Sequence, residues 1–199
     1  GVDEVLEKIR GVWASVFHER ALAYRLQHGI APESIAVGVV IQPMIEARAS
    51  GVVFTCNPAD GNVHETVVSA VYGLGEGLVS GALAADTLTI DKRTSAITAD
   101  VVPKTEQFVF HRAAGRGVTT VAVAVEQVSQ PALSDAELRE LATVAARIER
   151  HFGRPQDIEF CYDAAGKLHL LQSRAVTQVA EYGPAAGNRL IWDNSNISE

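Results

Sequence analysis

The sequence predicts an α+β fold in which a mostly antiparallel sheet packs against a few helices. Helical periodicity occurs near the start of the chain and again after residue 134. The residues between these two segments are divided into short runs rich in β-branched side chains. Clusters of Gly, Asn, Asp and Pro separate the runs, so consecutive strands are expected to pair as antiparallel neighbours.

Each predicted helix has an apolar stripe and a start signal. Asp3 is placed to cap the first helix, whose stripe includes Trp13 at spacings of three and four, and Gly29 is a plausible stop. Ser134 and Glu137 have the spacing of a capping box at the start of the second helix. Both segments are therefore expected to pack one face against the sheet.

The predicted strands are short and regularly interrupted. Residues 35–42 form a nearly unbroken apolar run ended by Pro43, which is typical of a buried strand. Further strands are expected at 51–55, 65–71, 87–91, 97–102, 107–111 and 119–125. Residues 157–161 and 168–174 flank an Asp-Ala-Ala-Gly turn, so they predict a terminal β-hairpin.

Composition narrows the class of function. A formal net charge of −7 argues against a broad nucleic-acid or anionic-membrane surface, although a nucleotide needs only a few local donors. No apolar run approaches the ~20 residues that a membrane span needs. Cys56 and Cys161 lie in apolar stretches without CxxC spacing, so we expect core thiols in a reducing cytoplasm.

The terminal hairpin carries the most informative polar residues. Strict alternation places four residues of its second strand on one face: Leu168, Leu170, Gln172 and Arg174. A carboxylate on the same face would suit a metal–nucleotide site, because it can hold Mg²⁺ while the guanidinium offsets phosphate charge. Glu159 joins that face if it pairs with Leu170, but not if it pairs with Leu171. The alternative is a structural ion pair between Glu159 and Arg174.

Two further segments are candidates for nucleotide contacts. Residues 72–81, YGLGEGLVSG, contain glycines that let backbone N–H groups approach phosphate. This segment lacks the Lys-Ser/Thr ending of a Walker motif, so a tight turn is the alternative. Gln42 ends the apolar run before Pro43 and Met44, where its amide could meet an adenine edge. A strand end with a core methionine is the alternative there.

Five blocks of the sequence occur in a specific order. They are VVIQPM at 39–44, ASGVVFTCNP at 49–58, YGLGE at 72–76, PQDIEF at 155–160 and LLQSR at 170–174. Together they resemble the ATP-grasp domain of pyruvate phosphate dikinase, phosphoenolpyruvate synthase and rifampin phosphotransferase. The resemblance extends from about Trp13 to Thr177. The tail IWDNSNI at 191–197 is similar to the segment that leaves this domain in rifampin phosphotransferases, which favours that branch.

The resemblance implies the C-terminal part of an ATP-grasp domain, with ATP and Mg²⁺ as its cofactors. It implies that Gln42 lies at the adenine, and that Glu159 and Gln172 hold Mg²⁺ and the nucleotide phosphates. Arg174 is then the catalytic cation at the phosphates, and Asp157 is a weaker candidate beside it. In such enzymes ATP phosphorylates a histidine on a separate domain with release of AMP and phosphate. The phosphohistidine then serves an acceptor, either an antibiotic or pyruvate.

The same resemblance implies a domain division. Residues 1–178 are expected to be a partial ATP-grasp domain whose first lobe is absent, and residues 179–199 a linker toward the next domain. None of the six histidines has a phosphohistidine-like context. Because the first lobe and the phosphohistidine domain are both expected to be missing, the chain alone is expected to be inactive. The leading interpretation is a rifamycin-directed phosphotransferase; phosphoenolpyruvate synthase and a non-catalytic nucleotide-binding module are the alternatives. The expected partners are ATP and a phosphohistidine domain, without nucleic acid or membrane.

Overall fold

A computed structural model describes residues 1–31, 35–115 and 117–176 of the chain. The chain divides into two compact units, Gly1–Met44 and Ile45–Glu199. The secondary structure is α+β with a six-stranded antiparallel sheet, which confirms the predicted class. None of the helices in these described ranges is long and apolar enough to cross a membrane. The expected linker at 179–199 and the tail motif at 191–197 lie outside the described residues.

The first unit contains two helices where the apolar stripe predicted one. Their bounds are α1 Val2–Ser15 and α2 Glu19–Gln27. Gly1 occupies the N-cap of α1, so Asp3 lies in the first turn, where the helix dipole favours its carboxylate. Gly29 follows the end of α2 with a φ of +63°, as expected of a glycine that stops a helix. Neither helix has a buried residue, and Trp13 is 53% exposed.

The predicted strand at 35–42 does not form. Residues 35–44 have no regular secondary structure, and Val40 is 85% exposed. A strand needs a neighbour that accepts and donates its backbone hydrogen bonds. No strand in the described part of the chain pairs with this segment, so its apolar character alone does not produce a strand.

The second unit is built on the six-stranded sheet. The strands of the unit are β1 Ala47–Phe54, β2 Glu65–Tyr72, β3 Asp86–Asp91, β4 Ile97–Asp100, β5 Glu106–Phe110, β6 Val118–Ala122, β7 Gln156–Asp163 and β8 Leu168–Ala175. The order in the large sheet is β4-β3-β2-β1-β7-β8, and every neighbouring pair is antiparallel. β5 and β6 form a separate two-stranded sheet. These strands confirm the expected pattern from residue 47 onward.

Short helix α3, Glu76–Val79, follows β2, and the long helix α4, Asp135–Phe152, covers one face of the large sheet. The predicted capping box is present, because Ser134 N–H donates to Glu137 Oε2 at 2.9 Å and Glu137 N–H donates to Ser134 Oγ at 3.3 Å. Gly153, with a φ of +67°, ends α4. The helix contributes three buried residues to the core: Leu138, Leu141 and Ala145. Each buried leucine stabilises the fold by about 1.5–3 kcal/mol relative to exposure.

Candidate functional site

Side-chain alternation divides the six-stranded sheet into two different faces. Val53 and Ile158 are fully buried on the face that packs into the core with α4. Glu159 points to the opposite face, where its cross-strand neighbours are Val52 on β1 and Gln172 on β8. Val52 and Glu159 are only half-buried, and Gln172 is exposed, so this second face is partly open around the carboxylate.

A β-bulge in β8 brings Gln172 to the open face. Phe160 pairs with Leu170, but the preceding residue Glu159 pairs with Gln172, so Leu171 is an additional residue in β8. The expectation that Leu170 and Gln172 share a face is therefore wrong, because one extra residue reverses the alternation that follows it. Neither of the two registers considered for Glu159 occurs. The bulge nevertheless places the carboxylate and the amide side by side.

Arg174 shares this face through its pairing with Asp157. The guanidinium Nε donates to Asp157 Oδ2 at 2.8 Å, and Nη2 lies 2.8 Å from the same oxygen. The Asp157 side chain is 9% exposed and that of Arg174 is 44% exposed. The structural ion pair considered for Arg174 thus exists with Asp157, not with Glu159. It holds the guanidinium on the same face as Glu159 and Gln172.

The electrostatics of the two carboxyl groups follow from burial. Burial raises the pKa of Asp157 above its ordinary value, and the hydrogen bond and charge of Arg174 partly oppose that rise. Burial also raises the pKa of Glu159; the neighbouring Asp157 carboxylate adds to the effect, and Arg174 opposes it. No hydrogen bond from the described residues offsets the burial of Glu159. A partly buried carboxyl group with a raised pKa is a candidate for a functional group.

The end of the hairpin is fixed by a residue that the sequence did not single out. Gln156 is 2% exposed, and its backbone N–H donates to Thr55 Oγ1 at 2.8 Å. Its side-chain oxygen accepts a hydrogen bond from Ser173 Oγ at 3.0 Å. These bonds join β1, β7 and β8 next to the polar residues. No local sequence signal reveals them, because the partners lie far apart in the chain.

The glycine-rich segment lies on the same open face. Ser50 on β1 is two residues before Val52, and its Oγ donates to the backbone oxygen of Gly73 at 2.6 Å. Gly75 also lies close to this hydroxyl, since a Cβ there would be 3.4 Å from Ser50 Oγ. The loop therefore shares a sheet face with Glu159, as a phosphate loop would need. Phosphate contact itself stays a prediction.

A glycine is required where this loop meets β5. Gly73 has a φ of +71°, and a Cβ at this position would lie 2.2 Å from the backbone oxygen of Phe108. The next residue, Leu74, donates its N–H to that same oxygen at 2.8 Å. The two-stranded sheet of β5 and β6 is therefore joined to the loop by main-chain contact. No side chain larger than hydrogen fits at the junction.

Gln42 belongs to the first unit, whereas the hairpin belongs to the second. It is exposed and lies outside any helix or strand. Met44, expected either on an adenine ring or in the core, is 61% exposed. The core alternative for Met44 is therefore wrong, while the assignment of Gln42 to the adenine stays a prediction.

The donor set on the open face fits a magnesium ion. Mg²⁺ prefers oxygen ligands and usually takes one or two carboxylates, with phosphates and water completing the octahedron. Glu159 and Gln172 offer a carboxylate and an amide oxygen from directly paired positions. In the described ranges no three His, Cys, Asp or Glu residues are grouped to hold a metal alone. An ion held by Glu159 and Gln172 would need further ligands from water or from a bound molecule.

Comparisons with known proteins define the class of domain. The family described as "Pyruvate phosphate dikinase, AMP/ATP-binding domain" matches residues 1–187. The chain is 39% identical over 187 residues to a probable phosphoenolpyruvate synthase of Pyrococcus abyssi, covering 91% of the chain and 23% of that relative. It is 38% identical over 177 residues to a rifampicin phosphotransferase of a Streptomyces species, covering 89% of the chain and 20% of that relative. A Bacillus subtilis rifampicin phosphotransferase is 36% identical over 183 residues.

These matches and the α+β fold define an AMP/ATP-binding domain. The chain belongs to the pyruvate phosphate dikinase AMP/ATP-binding domain family, which confirms the resemblance found in the five sequence blocks. Its relatives are dikinase-type phosphotransferases. The chain spans about a fifth to a quarter of the length of the curated relatives it matches.

Proposed function

We propose that this chain supplies the C-terminal nucleotide-binding part of an ATP-dependent dikinase. ATP phosphorylates a histidine on a separate domain of the complete protein, with release of AMP and phosphate. The observation that supports the proposal best is the register of β7 and β8, which brings Glu159, Gln172 and Arg174 to one open face. Catalysis of phosphoryl transfer depends mainly on positioning and charge stabilisation, and these groups are suited to both.

Each of these side chains has a distinct role in the proposed site. Arg174 contacts the phosphates as the catalytic cation, and Asp157 orients it through the ion pair at 2.8 Å. Glu159 and Gln172 are the protein ligands of Mg²⁺, which supplies charge neutralisation to the nucleotide phosphates. Burial raises the pKa of Glu159, and a bound cation would stabilise the charged form of this carboxylate. The glycine-rich loop offers backbone N–H groups on the same face.

Gln42 is proposed to read the adenine edge with its amide. Its exposure leaves both the amide N–H and the oxygen accessible to a base. Only neutral hydrogen bonds would form there, so Gln42 contributes less to affinity than Arg174 does. Gln42→Ala is accordingly expected to weaken binding less than Arg174→Ala.

The phosphorylated histidine is proposed to lie in another part of the complete protein. Among the described residues, the side chains of His169 and His28 lie within hydrogen-bonding distance of other groups. His169 Nε2 lies 2.8 Å from Asp163 Oδ2, and His28 Nδ1 lies 2.8 Å from the backbone oxygen of Tyr24. The ring of His28 also stacks on Tyr24 with centroids 4.1 Å apart. These contacts favour structural roles for His169 and His28 over the role of a histidine that carries phosphate between two sites.

The acceptor is proposed to be a rifamycin-like antibiotic. The tail motif at 191–197 supports this branch, as do relatives named rifampicin phosphotransferase. Pyruvate is the second candidate, because relatives from Pyrococcus species at 38–39% identity are named phosphoenolpyruvate synthase. Both acceptors use the same ATP half-reaction. Two buried free thiols, Cys56 and Cys161, suit a reducing compartment, so the proposal includes a cytoplasmic location.

The test uses the complete polypeptide that contains these 199 residues. AMP release from ATP is followed with rifampicin, with pyruvate and with neither acceptor, in wild type and in Glu159→Gln. Glu106→Gln, an exposed substitution on β5, is the matched control. We expect acceptor-dependent AMP release that Glu159→Gln reduces by at least ~100-fold and the control does not change. ATP binding without AMP release under any condition would instead identify a non-catalytic nucleotide-binding module.

A further inference from the structure

A buried ion pair lies at the base of the glycine-rich loop. Lys104 Nζ lies 2.5 Å from Asp86 Oδ1, and their side chains are 1% and 0% exposed. Lys104 Nζ also donates to the backbone oxygen of Val102 at 2.9 Å. Asp86 Oδ2 accepts the N–H of Ala132 at 2.8 Å. Both charged groups are thus paired and hydrogen-bonded, as burial of ions requires.

The pair fixes both ends of the chain segment that contains the loop. Tyr72 immediately precedes Gly73, and Lys104 Nζ lies 5.5 Å from the centre of the Tyr72 ring. The Tyr72 hydroxyl lies within hydrogen-bonding distance of three backbone oxygens between residues 127 and 131. Asp86 begins β3 at the other end of the segment. Lys104 therefore contacts Tyr72, where the glycine-rich segment begins, and Asp86, where β3 begins after it.

Contacts within the segment between Tyr72 and Asp86 also restrict its conformation. Leu83 donates its N–H to the backbone oxygen of Gly77 at 2.9 Å, and a Cβ on Gly77 would lie 2.3 Å from Leu83 Cδ1. At the other end, Gly73 donates its N–H to the backbone oxygen of Arg48 at 2.9 Å. Hydrogen bonds with Arg48, Ser50 and Phe108 thus hold the first residues of the loop. The pair of Asp86 and Lys104 adds a contact with Tyr72 and with the start of β3.

We propose that Asp86 and Lys104 are positioning residues, which set the glycine-rich loop over the open sheet face at the distance that nucleotide phosphates require. This assignment rests on the proposed function. Buried ion pairs are poor stabilisers, since apolar replacements of similar volume are often equally stable. Buried ion pairs do restrict the positions of the segments that carry them, because each buried charge needs its partner within hydrogen-bonding distance. The proposed role of the pair is therefore the placement of the loop and not the stability of the fold.

The test compares two double variants in the intact chain. Asp86→Asn with Lys104→Met removes both charges while keeping an oxygen for the N–H of Ala132. Lys92→Met with Glu149→Gln removes a second ion pair, 2.8 Å long and less buried, which contacts Thr55 and α4 instead of the loop. Three quantities are measured: the melting temperature, amide hydrogen exchange over residues 73–81, and the Kd of Mg·ATP corrected for the folded fraction.

We expect the first double variant to melt close to wild type, to exchange its loop amides faster, and to bind Mg·ATP about tenfold more weakly. The control variant is expected to leave both loop exchange and affinity unchanged. Unchanged loop exchange in the Asp86 and Lys104 variant overturns the inference, and so does unchanged affinity alongside faster exchange. Failure of the proposed function gives a different pattern, in which the wild-type chain binds no Mg·ATP and Glu159→Gln alters nothing.

Discussion

Arg174→Ala removes a candidate phosphate contact and also the ionic partner of Asp157. A hydrogen bond from a charged group contributes about 1.5–3 kcal/mol. Loss of the guanidinium should therefore raise the Kd of Mg·ATP by about 10- to 150-fold. Three of the contacts proposed in this chain, at Gln42, Glu159 and Arg174, together suggest an affinity near −4 kcal/mol, or a Kd of about 1 mM. The variant should thus bind only at ~10 mM or above.

The same substitution also lowers stability, and this effect has to be separated from binding. Breaking a buried ion pair costs about 3–5 kcal/mol, but Arg174 is 44% exposed, so solvent reduces the cost to about 1–3 kcal/mol at pH 7. Without the guanidinium, the pKa of Asp157 rises further above its ordinary value, because only burial then acts on it. An acid with a raised pKa destabilises the fold as pH increases through that pKa. The loss should therefore shrink as pH falls.

A second variant separates the two effects. In Asp157→Asn with Arg174→Ala neither charge of this ion pair remains, so the free energy of unfolding should return to within about 1 kcal/mol of wild type. Binding should not return, because the cation is still missing. Arg93→Ala, which removes an exposed arginine 3.7 Å from Asp91, is the matched control and should change neither quantity.

The assay is a Mg·ATP titration followed by NMR shifts, paired with urea unfolding of each variant. The reasoning is refuted if the double variant binds Mg·ATP as tightly as wild type. Arg174 would then be only the structural partner of Asp157. If wild type gives no shifts at any concentration, the binding claim fails while the family assignment remains, because that assignment depends on sequence similarity.

Four further predictions follow from the open face and its loop. Glu159→Gln should weaken the binding of Mg·ATP at least about tenfold. Because the pKa of the Glu159 carboxyl is raised, the substitution should not lower stability at pH 7, and any stability difference from wild type should vanish near pH 4. A lowered melting temperature of the variant at pH 7 would contradict this. Gly73→Ala should cost at least ~2 kcal/mol more in urea unfolding than Gly153→Ala, since both have a positive φ but only the first meets a backbone oxygen. Deletion of Leu171 should leave the Kd within about threefold of wild type, because it removes the bulge and keeps the polar cross-strand pairs; a folded deletion variant without binding would disprove the register argument. The 199-residue chain alone should form no AMP from ATP, as measured by chromatography, and sustained AMP formation would contradict the proposed need for a separate histidine domain.

Local sequence signals predicted much of the fold. The capping box of Ser134 and Glu137 marked the start of α4 correctly, because a capping box depends on residues three apart. Turn residues likewise separated the strands from residue 47 onward. The apolar run at 35–42 failed as a prediction because strand formation depends on a neighbouring strand, which apolar periodicity does not report.

The resemblance implied that Glu159, Gln172 and Arg174 belong to one site, but the sequence left the face of Glu159 open. The register of β7 and β8 in the structure brings all three residues to one face. The sequence did not predict the ionic partner of Arg174, because the strand register decides whether that partner is Asp157 or Glu159. The pair formed by Asp86 and Lys104 had no sequence signal at all, as ion pairs in a folded core join residues without fixed spacing.

The bulge explains why alternation alone misassigned β8. This strand has to serve two requirements, because Leu168 packs against the core opposite Tyr162 while Gln172 and Arg174 lie opposite carboxylates. A regular strand with this sequence would keep these three side chains on one face, so either the leucine or the polar groups would be misplaced. One additional residue after Leu170 reverses the alternation at the point where the requirement changes. The functional face of this domain therefore depends on an irregularity of the backbone, and chemistry-bearing residues that share a parity in the sequence need not share a face in the fold.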